Sequence, residues 1–116
     1  MGNPRSSATV ALLSKAMTFK DARIIELGCG DGSLVMEVAN ALGIRDIYGV
    51  DINHSVLKKA ADKGIKVFKA DLNGDPLPFK DSFFDVVLME EVIEHLVNPG
   101  NAIKEAYRVL KQEVFF

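Results

Sequence analysis

The sequence has a single cysteine, Cys29, which excludes an internal disulfide and fits a reducing compartment. No apolar run approaches the ~20 residues that span a bilayer. The opening MGNPRSSATVALLSK lacks the hydrophobic region of a secretory signal, so a cytoplasmic protein is expected. Basic blocks are missing too: Lys58-Lys59 is the only adjacent basic pair. With a net charge of −2, the chain carries no electrostatic footprint for nucleic acid or an anionic membrane. There is no internal repeat, low-complexity tract or clear interdomain linker. What remains is 116 residues, 48% hydrophobic and 26% charged, the ordinary composition of one soluble domain or less.

Four short runs rich in β-branched residues read as strands: RIIEL (23–27), DIYGVD (46–51), IKVFKAD (65–71) and FFDVVLME (83–90). Between the first two, SLVMEVANAL (33–42) places Leu34, Val35, Val38, Ala39 and Leu42 on one helical face, and Gly43 follows as a terminator. SVLKKAADK (55–63) reads as a second helix, ended by Gly64. A third starts near Pro99, with Asn98 as N-cap, and runs through NAIKEAYRVLK. Residues 7–17, SATVALLSKAM, read as a further short helix, giving an N-terminal helical segment over 1–20 ahead of a core over 21–116. Helices between consecutive strands imply an α/β, Rossmann-like three-layer sandwich with a mainly parallel sheet. The link LNGDPLPFKDS (72–82) has no helical period; a functional loop and a plain long crossover are equally open readings.

In such a sheet, ligands bind beyond the C-terminal ends of the strands. Those ends are acidic. The first strand carries Glu26 and leads through Gly28, Cys29 and Gly30 to Asp31 and Gly32; the others end in Asp51, Asp71 and Glu90, with Glu91 next. A single such carboxylate is an ordinary helix cap, but four strands ending alike ask for a ligand. A pyrophosphate would be repelled here, and the G-x-G-x-x-G dinucleotide fingerprint is broken, with Ser33 where its third glycine belongs. S-adenosylmethionine has no phosphate. It offers ribose hydroxyls, an adenine amine, an ammonium and a sulfonium, for which carboxylates are the matching acceptors. Asp51 would take the ribose hydroxyls, Asp71 the adenine amine and Glu26 the ammonium. Ile52 and Leu72 would sandwich the adenine, and Gly28, Gly30 and Gly32 would let the backbone come close.

With these residues in view, the chain resembles the class I S-adenosylmethionine-dependent methyltransferases over about residues 23–112. ELGCGDG (26–32) resembles the family's first motif and YGVDIN (48–53) its acidic second motif. KADLNGDPLPFKDSFFDVV (69–87), followed by MEEVIEHL and AIKEAYRVLK, resembles the small-molecule branch that includes ubiquinone- and menaquinone-biosynthesis enzymes. The resemblance implies S-adenosylmethionine as cofactor, S-adenosylhomocysteine as product, and a small-molecule methyl acceptor. It implies contacts from Glu26, Gly28, Cys29, Gly30, Gly32, Asp51, Ile52, Asp71, Leu72 and Glu90. It also implies the strand order 3-2-1-4, with a fifth strand that is partial or missing because RVLKQEVFF ends the sequence; Glu113 to Phe116 would start it. The fourth strand would then be an exposed apolar edge, and self-association through it is expected.

Other residues are given plainer roles. Glu91, Glu94 and His95 have a spacing that could hold a metal, yet a polar helix face is the preferred reading and no metal is assigned. His54 is expected exposed at a helix start. Cys29 is expected to be a small filler, since no base is placed beside it. Phe79, Phe83 and Phe84 are expected as core or loop anchors rather than as a stacking platform. No catalytic base is visible. The expected function is methyl transfer; the alternatives are a non-catalytic cofactor-binding fragment that needs a partner or a C-terminal half, and an NAD-binding oxidoreductase module.

Overall fold

The computed structural model describes residues 9–14, 21–90, 95–111 and 114–115. The strands among them are β1 (Thr9–Ser14), β2 (Arg23–Leu27), β3 (Asp46–Asp51), β4 (Lys66–Lys69), β5 (Val86–Glu90) and β6 (Val114–Phe115). The helices are α1 (Ser33–Leu42), α2 (His54–Asp62) and α3 (Pro99–Val109). All six strands form one sheet in the order β4-β3-β2-β5-β1-β6. β4, β3, β2 and β5 run parallel to one another, and β1 runs antiparallel to both β5 and β6. The predicted order 3-2-1-4 is thus the order of β4, β3, β2 and β5.

Alternation along each strand divides the core into two. Ile24, Ile47, Val86 and Leu88 pack with Val35 and Ala39 of α1 and Leu57 and Ala60 of α2. Ile25, Leu27, Tyr48, Val50, Val87 and Met89 pack with Ala102, Ala106 and Val109 of α3. Central parallel strands covered on both faces are continuously apolar, and that is how VVLM reads, and IIEL apart from Glu26. The second half also holds a set of aromatic rings. Tyr48, Phe79, Phe83 and Phe84 meet edge to face or stacked at centroid distances of 4.9–6.1 Å, so the phenylalanines are core anchors. Among the described residues no helix is long and apolar enough to cross a membrane.

Two expectations are corrected. Residues 9–14 are a strand, not part of a helix: Thr9 through Leu13 pair with Glu90 through Val86. This part of the supposed N-terminal helical segment therefore belongs to the same sheet as the core. As a consequence β5 is not an exposed edge, because β1 covers it, and the expected route to self-association through that edge is closed. Ala, Leu and Leu in TVALLS favour a helix locally, but β5 offers an apolar edge whose unpaired backbone groups select the extended form. The residues after RVLK also go elsewhere than expected. β6 pairs with Leu13 and Ser14 of β1, not with β5.

Asp85 fixes this seam. Its buried carboxylate accepts the Arg23 backbone N–H at 2.8 Å and faces Lys111 Nζ at 3.3 Å. Its carbonyl accepts the Ser14 N–H at 2.8 Å. One residue ahead of β5 thus holds β1, β2 and the exit from α3.

Candidate ligand site at the ends of the parallel strands

The site is set by register. Leu27 of β2 is level with Val50 of β3 and with Met89 of β5. One step further along each strand, Gly28, Asp51 and Glu90 reach the same level. The two carboxylate-bearing positions thus flank the start of the glycine loop. Glu26 lies one step lower and is buried.

Gly28, Gly30 and Gly32 have φ of 74°, 55° and 84°, a left-handed conformation that side chains disfavour. The loop is sewn to β3: the N–H groups of Gly28 and Cys29 both donate to Val50 O, at 2.7 and 2.9 Å. The three glycines then differ in surroundings. A Cβ on Gly30 would meet nothing within 4 Å, so this position borders open space. A Cβ on Gly32 would run into Ile65 Cδ1, which makes Gly32 the place where the loop packs on the core.

Asp51 joins the loop to the second motif. Its Oδ2 accepts the Gly30 N–H at 2.9 Å and its Oδ1 accepts the Asn53 N–H at 3.0 Å. A carboxylate oxygen has two lone pairs, so each keeps capacity for a further donor. Ile52, next along, is 55% exposed. Asn53 caps α2 by accepting the N–H groups of Ser55 and Val56, and His54 is exposed in its first turn.

Asp31 lies two residues ahead of α1 and is bonded within the protein. Its Oδ1 accepts the Ser33 N–H and hydroxyl at 3.0 and 2.7 Å. Lys63 Nζ donates to its carbonyl at 2.7 Å. The bonds from Ser33, then Lys63, hold the Asp31 carboxyl below the usual range.

Cys29 is buried, and its thiol is pushed up to about 12 by burial first, then by the charges of Asp51, Glu26 and Asp31. A thiol that stays protonated is no nucleophile at neutral pH. The sulfur also explains Gly49: a Cβ there would lie 2.6 Å from Cys29 Sγ.

Asp71 and Leu72 begin the turn after β4. Asp71 Oδ1 accepts the Asn73 N–H at 2.9 Å, and Asp75 Oδ2 accepts the Asp71 N–H at 2.9 Å. Leu72 is buried in the α3 half of the core, whereas Ile52 is exposed, so the two do not form equivalent faces. His95 is exposed, while Glu91 and Glu94 lie outside the described residues. Among the described residues, no group of three or more His, Cys, Asp or Glu is placed to hold a metal ion.

Sequence reasoning missed the residues that hold the 72–82 loop. Arg108 of α3 donates to the carbonyls of Leu77 and Phe79 at 3.0 and 2.8 Å, to Asp81 at 2.9 Å and to Glu105 at 2.8 Å. Glu105 in turn accepts the Leu77 N–H at 2.8 Å. Hydrogen bonds from Arg108 hold the Glu105 carboxyl low, against its burial. Asn73 and Asn101 tie the loop's first turn to the start of α3. D-x-N-x-D is a legible turn signal, but partners 24 or more positions away leave no local trace.

Comparison with known proteins agrees with this architecture. The family model described as a methyltransferase domain matches residues 25–116. An uncharacterised protein of Methanocaldococcus jannaschii is 42% identical over 90 residues, 78% of this chain and 40% of that protein. The ubiquinone/menaquinone biosynthesis C-methyltransferase of Vibrio parahaemolyticus is 32% identical over 96 residues, 77% of this chain and 37% of that protein. Among solved structures, a SAM-dependent methyltransferase of Thermotoga maritima is similar at a TM-score of 0.59 and 33% identity, covering 78% of this chain and 40% of that one. The YcgJ protein of Bacillus subtilis is similar at a TM-score of 0.66 and 25% identity, covering 79% and 41%. The chain spans about 40% of the length of the relatives it matches.

Proposed function

The chain belongs to the class I S-adenosylmethionine-dependent methyltransferase family, and from that premise we propose that it binds S-adenosylmethionine at the ends of β2, β3 and β4 for methyl transfer to a small molecule. The family's cofactor is S-adenosylmethionine, and S-adenosylhomocysteine is its product. One observation carries the reading for this chain: the Asp51 carboxylate clasps the glycine loop through Gly30 while keeping lone pairs for two ribose hydroxyls. Beside it, Gly30 offers open backbone and Ile52 an exposed apolar face for adenine. Asp71 takes the adenine amine, and buried Leu72 forms the wall behind that turn. Glu26 takes the ammonium, with Gly28, Cys29 and Gly32 shaping the floor and Glu90 completing the level of Asp51.

The reaction is displacement of methyl from sulfonium to a nucleophilic acceptor atom. Sulfonium leaves readily, so positioning carries much of the rate. The lone reduced Cys29 suits a cytoplasmic setting. A second reading is favoured by the chain's coverage of about 40% of its relatives: a cofactor-binding unit whose acceptor contacts come from elsewhere.

Thermal unfolding tests the site. S-adenosylhomocysteine at ~100 times its dissociation constant should add about 2.7 kcal/mol of stability. NAD should add nothing, and Asp51→Ala should lose most of the response. Stabilisation by NAD alone sinks the proposal. The two readings part on turnover, because only the first has this chain forming S-adenosylhomocysteine from S-adenosylmethionine when given the small-molecule fraction of a cell extract.

A further inference from the structure

The glycine loop is held from behind by a side chain 32 positions further along the chain. Gly32 N–H donates to Cys29 O at 2.9 Å, so Gly30 and Asp31 are the two central residues of a tight turn. Glycines at φ of 55° and 84° flank Asp31. Glycine adopts many backbone conformations, so the Asp31 peptide is fixed by bonds more than by sterics. One bond comes from the strand side, where Asp51 Oδ2 accepts the Gly30 N–H at 2.9 Å. The other comes from the far end of α2, where Lys63 Nζ donates to Asp31 O at 2.7 Å.

Lys63 is itself well anchored. It is the C-cap of α2, and its own N–H donates to Ala60 O at 3.0 Å. That last turn of α2 packs on the loop, because a Cβ on Gly32 would lie 3.3 Å from Ala60 Cβ. The other end of α2 starts at Asn53, whose N–H is held by Asp51. The helix therefore braces the turn from Asp51 at its start to Lys63 at its end. The Lys63 amine is 3.7 Å from the Asp31 carboxylate, between side chains 38% and 48% exposed, so that ion pair is weak in water. The shorter bond to the carbonyl is the one that fixes the backbone.

We propose that Lys63 is a positioning residue for the cofactor: its bond to the Asp31 carbonyl keeps the Gly30–Gly32 turn in the form that receives S-adenosylmethionine. This rests on the cofactor site proposed above. Without the bond the two glycines let the turn take other forms, and apparent affinity falls with the fraction of molecules still in the binding form. Charge alone would act differently. S-adenosylmethionine carries one positive charge more than S-adenosylhomocysteine, so the field of Lys63 opposes the first more than the second. Loss of positioning weakens both ligands, whereas loss of charge alone tightens S-adenosylmethionine.

Calorimetric titration of the full chain with each ligand tests this. Lys63→Met should weaken both by about 5–10-fold, the net size of one hydrogen bond. Lys63→Gln, neutral and shorter, should do the same, while Lys63→Arg keeps a charged donor of similar reach and should restore most of the loss. Asp31→Asn removes the carboxylate charge and keeps the carbonyl, so adding Lys63→Met to it should again lose the same factor. Wild-type affinity in Lys63→Met or Lys63→Gln overturns the inference, and so does tighter binding of S-adenosylmethionine by either. Lys63→Arg as weak as Lys63→Met overturns it, as does disappearance of the Lys63 effect in the Asp31→Asn background. If the wild type binds neither ligand, the cofactor site falls and this inference falls with it.

Discussion

Gly49 and Cys29 constrain each other across the floor of the site. A methyl at position 49 would lie 2.6 Å from the Cys29 sulfur, closer than packed atoms allow, and 3.0 Å from its Cβ, a tight contact. Gly49→Ala should therefore cost about 1–3 kcal/mol in denaturant unfolding, as overpacking does. Adding Cys29→Gly removes the obstruction, so the double variant should be more stable than the sum of the two single costs by about 0.5 kcal/mol or more. The thiol also has a pH signature. Its value rises from an ordinary 9.0 to about 12 on folding, through burial and then the carboxylates of Asp51, Glu26 and Asp31. Between those values the unfolded chain releases a proton that the folded chain keeps, so this group's contribution is whole below pH 9 and drains away towards pH 12. Cys29→Ala should flatten the fall in stability over that window relative to wild type, read from unfolding midpoints at each pH. At this scale the sequence was legible for residue type and not for facing. The glycine spacing pointed to a backbone that comes close to a ligand, yet only the surroundings separate Gly30, which borders open space, from Gly32, which rests on Ile65.

Elements were legible where local signals and tertiary demands agree. α1 and β2 have the bounds that periodicity and Gly43 predict, and β3 spans the whole of DIYGVD. The terminating glycine works as expected: Ile44 N–H donates to Ala39 O at 2.9 Å and closes the last turn. The fourth predicted strand is shorter than FFDVVLME suggests. Its first residues turn aside to α3, with Phe83 and Phe84 donating to Val109 O and Phe84 bridging Leu110. β1 was illegible because its conformation is dictated by a partner more than seventy positions away. The 72–82 loop was legible as a loop, but its fixation was not. Arg108 holds two of its carbonyls and neutralises buried Glu105. Arg108→Met should cost about 3 kcal/mol, the low end for breaking a buried pair, because the arginine side chain is 28% exposed. Unfolding in urea measures it, and limited proteolysis should find new cleavage within 72–82. A loss below 1 kcal/mol would mean that the aromatic anchors fix the loop without the arginine.

For the whole molecule, the sheet is built from both sides of β5. β2 supplies one neighbour and β1 the other, so the apolar run VVLM is interior only while β1 is in place. A chain beginning at residue 15 should expose that edge and associate with itself more strongly than the intact chain, which sedimentation at several concentrations would reveal. Equal behaviour of the two would show that β1 is dispensable as a cover. The parallel core could be foretold because it follows from period and spacing; Asp51 and Glu90 do end their strands, but β4 stops at Lys69, so Asp71 lies in the turn beyond it and not at a strand end as expected. The antiparallel rim could not be foretold, since it follows from which edge is left over once the core has formed.

The position of β1 also has a consequence in time. Leu12 pairs with Val87, so β1 waits for 75 further residues to be synthesised before its partner exists. At roughly 5–20 residues per second, that wait lasts about 4–15 s. Throughout it, TVALLS has no β5 to pair with, and its place in the sheet can form only once the nascent chain has delivered that partner.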